Sequence, residues 1–444
     1  MKWLKTYSIL SDKRRKLKWS ENALKDFRSV KLRNLVRFAY DNSPFYRKCY
    51  DQYGVRPDQI HTEEDIQKLP LLEKTSLQQT DPLQVITVKP KDGPLREVDL
   101  MTEVTSGSTG EPLKIKRTWS DLFYIKANDI RAFQQTGFRL YHRQVVLKSS
   151  TASITGPHWF ERFGILRKYW LSVTDSPEHN LAKLKEIRPD HLHGYPSGLL
   201  EIAELLRERH ETFTIPIVCT GAEVMDQHVR QQISTSFKAE VFDLYGTREV
   251  GNIAWECRAH QGLHINDDSM IIEVLNEDGH EVSAGVEGDV VVTHLDSYDY
   301  PFIRYRLGDR ALRLEGMCSC GVHFSRLKSI TGRDDARIRL PSGRWITGMV
   351  FQELRTVPWL SAFRIVQDEI SSIRLQLVPR AKIIKAELDA LTARTSELVQ
   401  GELTVVPEVV NNLERGKSGK LRAVVCKLPL EHHILSGRDA ATII

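Results

Sequence analysis

The segment Thr105-Ser-Gly-Ser-Thr-Gly-Glu-Pro112 opens with four hydroxyl residues and two glycines in six positions. Glycines such as Gly107 and Gly110 let backbone amides approach an anion closely and accept positive φ. The hydroxyls of Thr105, Ser106, Ser108 and Thr109 add donors, so the segment has the make-up of a phosphate cradle. It is not the Walker pattern, because no Gly-Lys-Ser/Thr follows, and it is not a dinucleotide fingerprint. An ordinary surface turn has the same composition. A second group of residues suits a metal. Cys318-Ser-Cys320 is a tight pair, and Cys257 lies about 60 residues upstream with His260 and His264 close behind. Three thiolates and one imidazole make a full tetrahedral zinc set with no open position, hence a structural one. The Cys-x-Cys spacing is shorter than usual, so three unligated thiols are the alternative. Cys49, Cys219 and Cys426 have no such company and read as core residues.

Elements must place these groups. Apolar residues at helical spacing predict a helix over 20–50 that stops near Ser43-Pro44. Val145–Leu147, Ile215–Cys219 and Glu240–Leu244 read as buried strands, with helices at Pro177–Ile187 and Ser197–Arg209 between them. Ser176 before Pro177 suits a helix cap. That alternation predicts a layered α/β domain. Strands follow at Gly288–Leu295 and Phe302–Arg306. From about residue 337 the pattern is strands near 362–367 and 372–378, a helix at 381–399, and strands at 402–406 and 421–427. The expected division is a large domain over 1–334 and a small α+β domain over 335–444.

Composition narrows the class. The chain has 444 residues, 41% hydrophobic and 27% charged, the balance of a globular protein. No apolar run approaches the length of a membrane span, and Met1-Lys-Trp-Leu-Lys5 does not open a secretory signal. Six cysteines are too few for a disulfide scaffold, which points to a reducing cytoplasm. Residues 1–50 carry 14 Lys/Arg against 4 Asp/Glu, a net of +10 in a chain of net +5, so the remainder carries −5. The basic leader therefore reads as a solvated helix face, with contact to an anionic membrane or a partner as the alternative. It lacks a nucleic-acid reader motif, so no nucleic-acid partner is expected.

Taken in order, the motifs resemble the adenylate-forming (acyl-CoA synthetase) superfamily. More narrowly, they resemble its phenylacetate–CoA ligase branch with the capsule-biosynthesis CapK-like relatives. The segments Ala39–Arg47, Leu69–Lys74, Thr105–Pro112, Thr220–Glu223, Asp243–Glu249, Ile303–Asp309, Gly332–Asp335 and Ser418–Arg422 carry the likeness, from about residue 35 to 427. The resemblance implies an adenylate-forming enzyme fold, with a large α/β N-terminal domain and a small mobile α+β C-terminal lid. It implies that Thr105–Gly110 holds the β/γ-phosphates of ATP, Glu249 holds Mg²⁺ and Thr247 donates to the α-phosphate. Tyr245 would stack on adenine, with Gly221, Ala222 and Glu223 on its other side and Asp243 and Gly246 in the same motif. Asp309 would accept from the ribose hydroxyls, and Arg333 would lie near the ribose or phosphates. Lys420 is the catalytic lysine by its place after Ser-Gly, ahead of its neighbour Lys417. The hinge falls on Asp335, with Asp334 as the alternative, because the family's second Asp is Ala336 here. By the same likeness His264 joins Cys257, Cys318 and Cys320 as the zinc set.

The expected reaction is ATP-dependent activation of a small carboxylic acid as acyl-AMP, then transfer to coenzyme A. The alternative acceptor is an amine or a carrier protein, in polysaccharide or secondary-metabolite biosynthesis. A monomer or homodimer is expected. Lys148–Gly156 and His193–Ser197 are the expected pocket lining, and Lys148 reads as a surface charge, with pairing to a second acidic group on the substrate as the alternative.

Overall fold

The computed structural model describes residues 2–87, 100–105, 113–148, 159–333, 337–348, 350–351, 354, 357–381, 383–415 and 421–428. Backbone contacts divide them into two compact units, one of residues 1–137 and 244–330 and one of 138–243 and 331–432. No helix among the described residues is long and apolar enough to cross a membrane.

The first unit begins with helices Lys2–Lys16, Glu21–Asn42 and Pro44–Tyr53. Ser43 both ends and starts a helix. Its N–H donates to the Ala39 carbonyl at 2.9 Å, and its Oγ accepts from the Tyr46 N–H at 3.4 Å. Pro44 fits the first turn because its missing N–H would have no partner there. The leader is not a solvated face throughout. Lys13 is buried, 2.9 Å from Asp296 and 3.8 Å from Asp268, and Lys31 reaches Asp296 at 3.0 Å. The unit's strands run in the order Met270–Leu275, Glu287–His294, Tyr305–Leu314, Arg326–Arg333, Leu263–Ile265 and Gly251–Glu256. The strand expected at 302–306 starts later, at Tyr305. Arg304 has φ 49°, outside extended geometry, and pairs with Glu273 at 2.7 Å where both are buried.

The second unit contains a run of parallel strands. They run Ile217–Gly221, His191–Gly194, Gln144–Lys148 and Lys168–Ser172. Ile217–Gly221 is buried at every position, as a parallel strand covered on both faces must be. Helices Pro177–Ile187, Pro196–Glu208 and Gln227–Phe237 connect the strands, and Ser176 and Asp226 cap two of them with side-chain oxygens. From residue 338 onward a separate core forms around Ile338, Phe351, Phe363, Leu375 and Leu391. It backs a four-stranded sheet in the order Thr404–Val409, Ser372–Pro379, Leu360–Glu369 and Val424–Cys426, with helix Lys385–Leu398 packed on it.

Candidate active site

Thr105 closes the neck of the glycine loop. Its N–H donates to the Leu113 carbonyl at 3.0 Å, and its Oγ1 accepts from the Leu113 N–H at 2.9 Å. Ser106, Gly107, Ser108, Thr109 and Gly110 lie outside the described residues. The stem is the hairpin Met101–Val104 with Lys114–Arg117. Sequence reading gives Arg117 no role, yet its guanidinium is fully buried. Nε donates to Glu103 at 2.6 Å, and Nη2 donates to the carbonyls of Arg248 and Glu249 at 2.9 and 2.5 Å. One planar fork therefore ties the stem of the glycine loop to the backbone that carries Thr247 and Glu249.

Strand Glu240–Thr247 delivers Asp243, Tyr245, Gly246 and Thr247. Tyr245 is buried, and its Oη donates to Asp309 Oδ2 at 2.8 Å. The two residues assigned to adenine and ribose are thus joined within one unit. Thr247 Oγ1 is buried without a hydrogen-bond partner among the described residues. A buried hydroxyl left so is costly unless a ligand completes it. Gly246 is a glycine because a Cβ there would stand 2.7 Å from the Gly251 carbonyl oxygen. Its role is to let the hairpin close, next to a register shift at Tyr245 and Gly246.

In the second unit, Thr220 Oγ1 donates to Asp243 Oδ1 at 3.1 Å, across strands. Gly221 ends its strand and Ala222 follows with φ 69°, a strained backbone for a residue with a Cβ. Glu223 accepts from the Ser197 N–H and from Ser197 Oγ, both at 3.0 Å. It also accepts from the Leu421 N–H at 2.9 Å. Lys420 and Asp335 lie outside the described residues, and Arg333 is described only as the end of its strand. Lys148 ends strand Gln144–Lys148 with Nζ 5.8 Å from the centre of the Tyr195 ring, while 149–156 lie outside the described residues. His193 is buried and is held well below the usual imidazole range, first by burial and then by the charge of Lys148. Ligands of open α/β sheets sit at the carboxyl ends of such parallel strands.

The metal candidate lies in the first unit. Ligand atoms of Cys257, His264, Cys318 and Cys320 all fall within 4.8 Å of one another. Cys257 Sγ is 3.6 Å from Cys318 Sγ, and Cys320 Sγ is 3.3 Å from His264 Nε2. Zinc bonds of about 2.3 Å to sulfur in a tetrahedron put sulfurs about 3.8 Å apart. Burial pushes His264 down to about 4, so its imidazole is neutral and able to ligate. Burial pushes Cys257 up to about 12. Burial opposes ionising Cys318 as well, but hydrogen bonds from Cys320 and Cys257 bring it below the usual thiol range. Three crowded thiols of this kind favour a cation that displaces their protons. His260 is not in the group; it pairs with Glu256 at 3.1 Å.

No family model matches the chain. It is 27% identical to a phenylacetate–coenzyme A ligase of Thermus thermophilus over 323 residues, 70% of this chain and 71% of the relative. It is 25% identical to a phenylacetate–coenzyme A ligase of Escherichia coli over 401 residues, 88% of this chain and 86% of the relative. Among solved structures it resembles a 2-hydroxyisobutyryl-CoA ligase in the postadenylation state. The TM-score is 0.76 at 20% identity, covering 92% of this chain and 90% of that one. At that identity the likeness is one of fold, the fold of adenylate-forming CoA ligases.

Proposed function

We propose that this chain, which belongs to the adenylate-forming superfamily and to its phenylacetate–CoA ligase branch, makes an acyl-CoA from a carboxylic acid, ATP and coenzyme A. In the first step a carboxylate oxygen attacks the α-phosphorus, the bond to pyrophosphate breaks, and acyl-AMP forms. In the second the coenzyme A thiol attacks the acyl carbon and AMP leaves. The observation that carries the reading is Thr247 Oγ1, a buried donor without a partner among the described residues, two positions from the Tyr245–Asp309 pair. A donor fixed there before the reaction stabilises charge developing on the α-phosphate at no cost in reorganisation. Tyr245 offers its ring to adenine and Asp309 a carboxylate to the ribose. The glycine loop, held at its neck by Thr105, cradles the outer phosphates. Glu249 would hold Mg²⁺, which when bound neutralises phosphate charge. Lys420 is the cation for the first step.

Residues 335–444 form the lid in this reading, supported by the separate core that begins at Ile338, with Asp335 as hinge. Cys257, His264, Cys318 and Cys320 would hold a structural zinc, which when bound cross-links strands near Tyr245 and Asp309. A cytoplasmic setting fits three thiols that lie this close without being joined.

Acid-dependent exchange of pyrophosphate into ATP tests the first step. With a panel of aryl and aliphatic acids the wild type should exchange, and Lys420→Ala should lose about 100-fold or more. Exchange that survives Lys420→Ala unchanged would remove that lysine from the mechanism.

A further inference from the structure

We infer that Arg415 and Glu223 are positioning residues that pin the lysine loop at its two ends and so set where Lys420 acts. The inference rests on the proposed reading, in which Lys420 serves adenylation. At one end of the loop, Arg415 Nη1 donates to Ser197 Oγ at 3.0 Å and Nη2 pairs with Glu201. At the other end, the Leu421 N–H donates to Glu223 Oε1 at 2.9 Å. The same carboxylate accepts from Ser197 Oγ and from the Ser197 N–H, so Ser197 joins the two pins.

Each part has a physical reason. Helix Pro196–Glu208 opens on Tyr195, which offers no side-chain cap. Its first amides are therefore orphans, and a carboxylate brought from elsewhere satisfies one and meets the positive end of the helix. Glu223 is that carboxylate. The strained turn at Ala222 comes immediately before it and directs the chain there. Lys420 directly precedes the pinned Leu421 in the sequence. Glu223, assigned by resemblance to the adenine side, gives its carboxylate to Ser197 and to Leu421, the residue after the lysine.

Hydrogen-exchange mass spectrometry on the full chain reads the pin without any substrate. Glu223→Ala and Arg415→Ala should each speed exchange in the peptide holding Leu421 by about tenfold or more. Glu223→Gln keeps an acceptor oxygen and should restore most of the protection. Unchanged exchange at Leu421 in Glu223→Ala overturns the proposal. Two half-reactions then separate positioning from general damage. Arg415→Ala should lower acid-dependent pyrophosphate exchange about tenfold or more, with phenylacetate as the first acid tried. Conversion of supplied phenylacetyl-AMP and coenzyme A to the thioester should stay within about threefold. Equal losses in both half-reactions overturn the proposal. A wild type that exchanges pyrophosphate with none of the acids contradicts the proposed function instead, and the protection of Leu421 still decides the pin.

Discussion

Asp121 enters helix Trp119–Gln135 in its first turn at 2% exposure. Burial and the charge of Asp299 push its carboxyl up to about 7, against the pull of Arg117. In the unfolded chain it titrates near about 4. Between those values the folded protein binds the extra proton, so this contribution to stability is complete below about 4 and is lost as pH rises through about 7. Asp121→Asn is neutral throughout. Wild-type stability relative to that variant should therefore fall from pH 5 to pH 8, measured by urea midpoints; a pH-independent difference would contradict the assignment. The residue scale also shows where reading along the chain stops. Tyr245, Thr247 and Asp309 stand in short motifs whose order carries the family resemblance, and through it a nucleotide is implied. Arg117 has no such signal. In Lys114-Ile-Lys-Arg117 it looks like one more surface cation, and only folding brings the carbonyls of Arg248 and Glu249 to it.

The leader helices illustrate the same limit for elements. Helical spacing and the Ser43-Pro44 break are local properties, so the helices were legible. The fate of their charge was not, because the partners of Lys13 lie more than 250 residues away, at Ser269 and Asp296. Lys13, Lys31 and Arg131 share the two carboxylates Asp268 and Asp296. Removing a carboxylate and removing a lysine are therefore unequal. Asp296→Asn leaves Lys31 without its anion and Lys13 with only the more distant Asp268, and should cost about 3 kcal/mol. Lys13→Met leaves Lys31 with Asp296 and Arg131 with Asp268 and should cost less, about 1 kcal/mol. Urea denaturation of both variants checks the order, and a costlier Lys13→Met would refute it. The cysteine group spans two elements in the same way. Cys318 and Cys320 are separated by one residue in the chain, but Cys257 and His264 arrive on either side of the turn between strands Gly251–Glu256 and Leu263–Ile265. Elemental analysis should find about one zinc per chain, falling below about half in Cys318→Ser. A metal-free wild type purified without chelator would count against the site.

At the scale of the whole molecule, the order of the motifs suggested the reaction and alternating strands and helices suggested the fold. The boundary between parts was harder to see. Residues 138–243 and 331–432 form one compact unit although the motifs run through both units. Strand Glu240–Thr247 carries Asp243 in one unit and Tyr245 in the other, a division that no change of composition marks. The central claim is that one chain activates an acid and passes it to coenzyme A. The direct measurement is product analysis with ATP, Mg²⁺, a panel of acids, and either coenzyme A or a panel of amines. The account predicts AMP and an acyl-CoA thioester in equal amounts for at least one acid, with both absent when Lys420 is Ala. AMP release that ignores coenzyme A and yields amides with amines would contradict it.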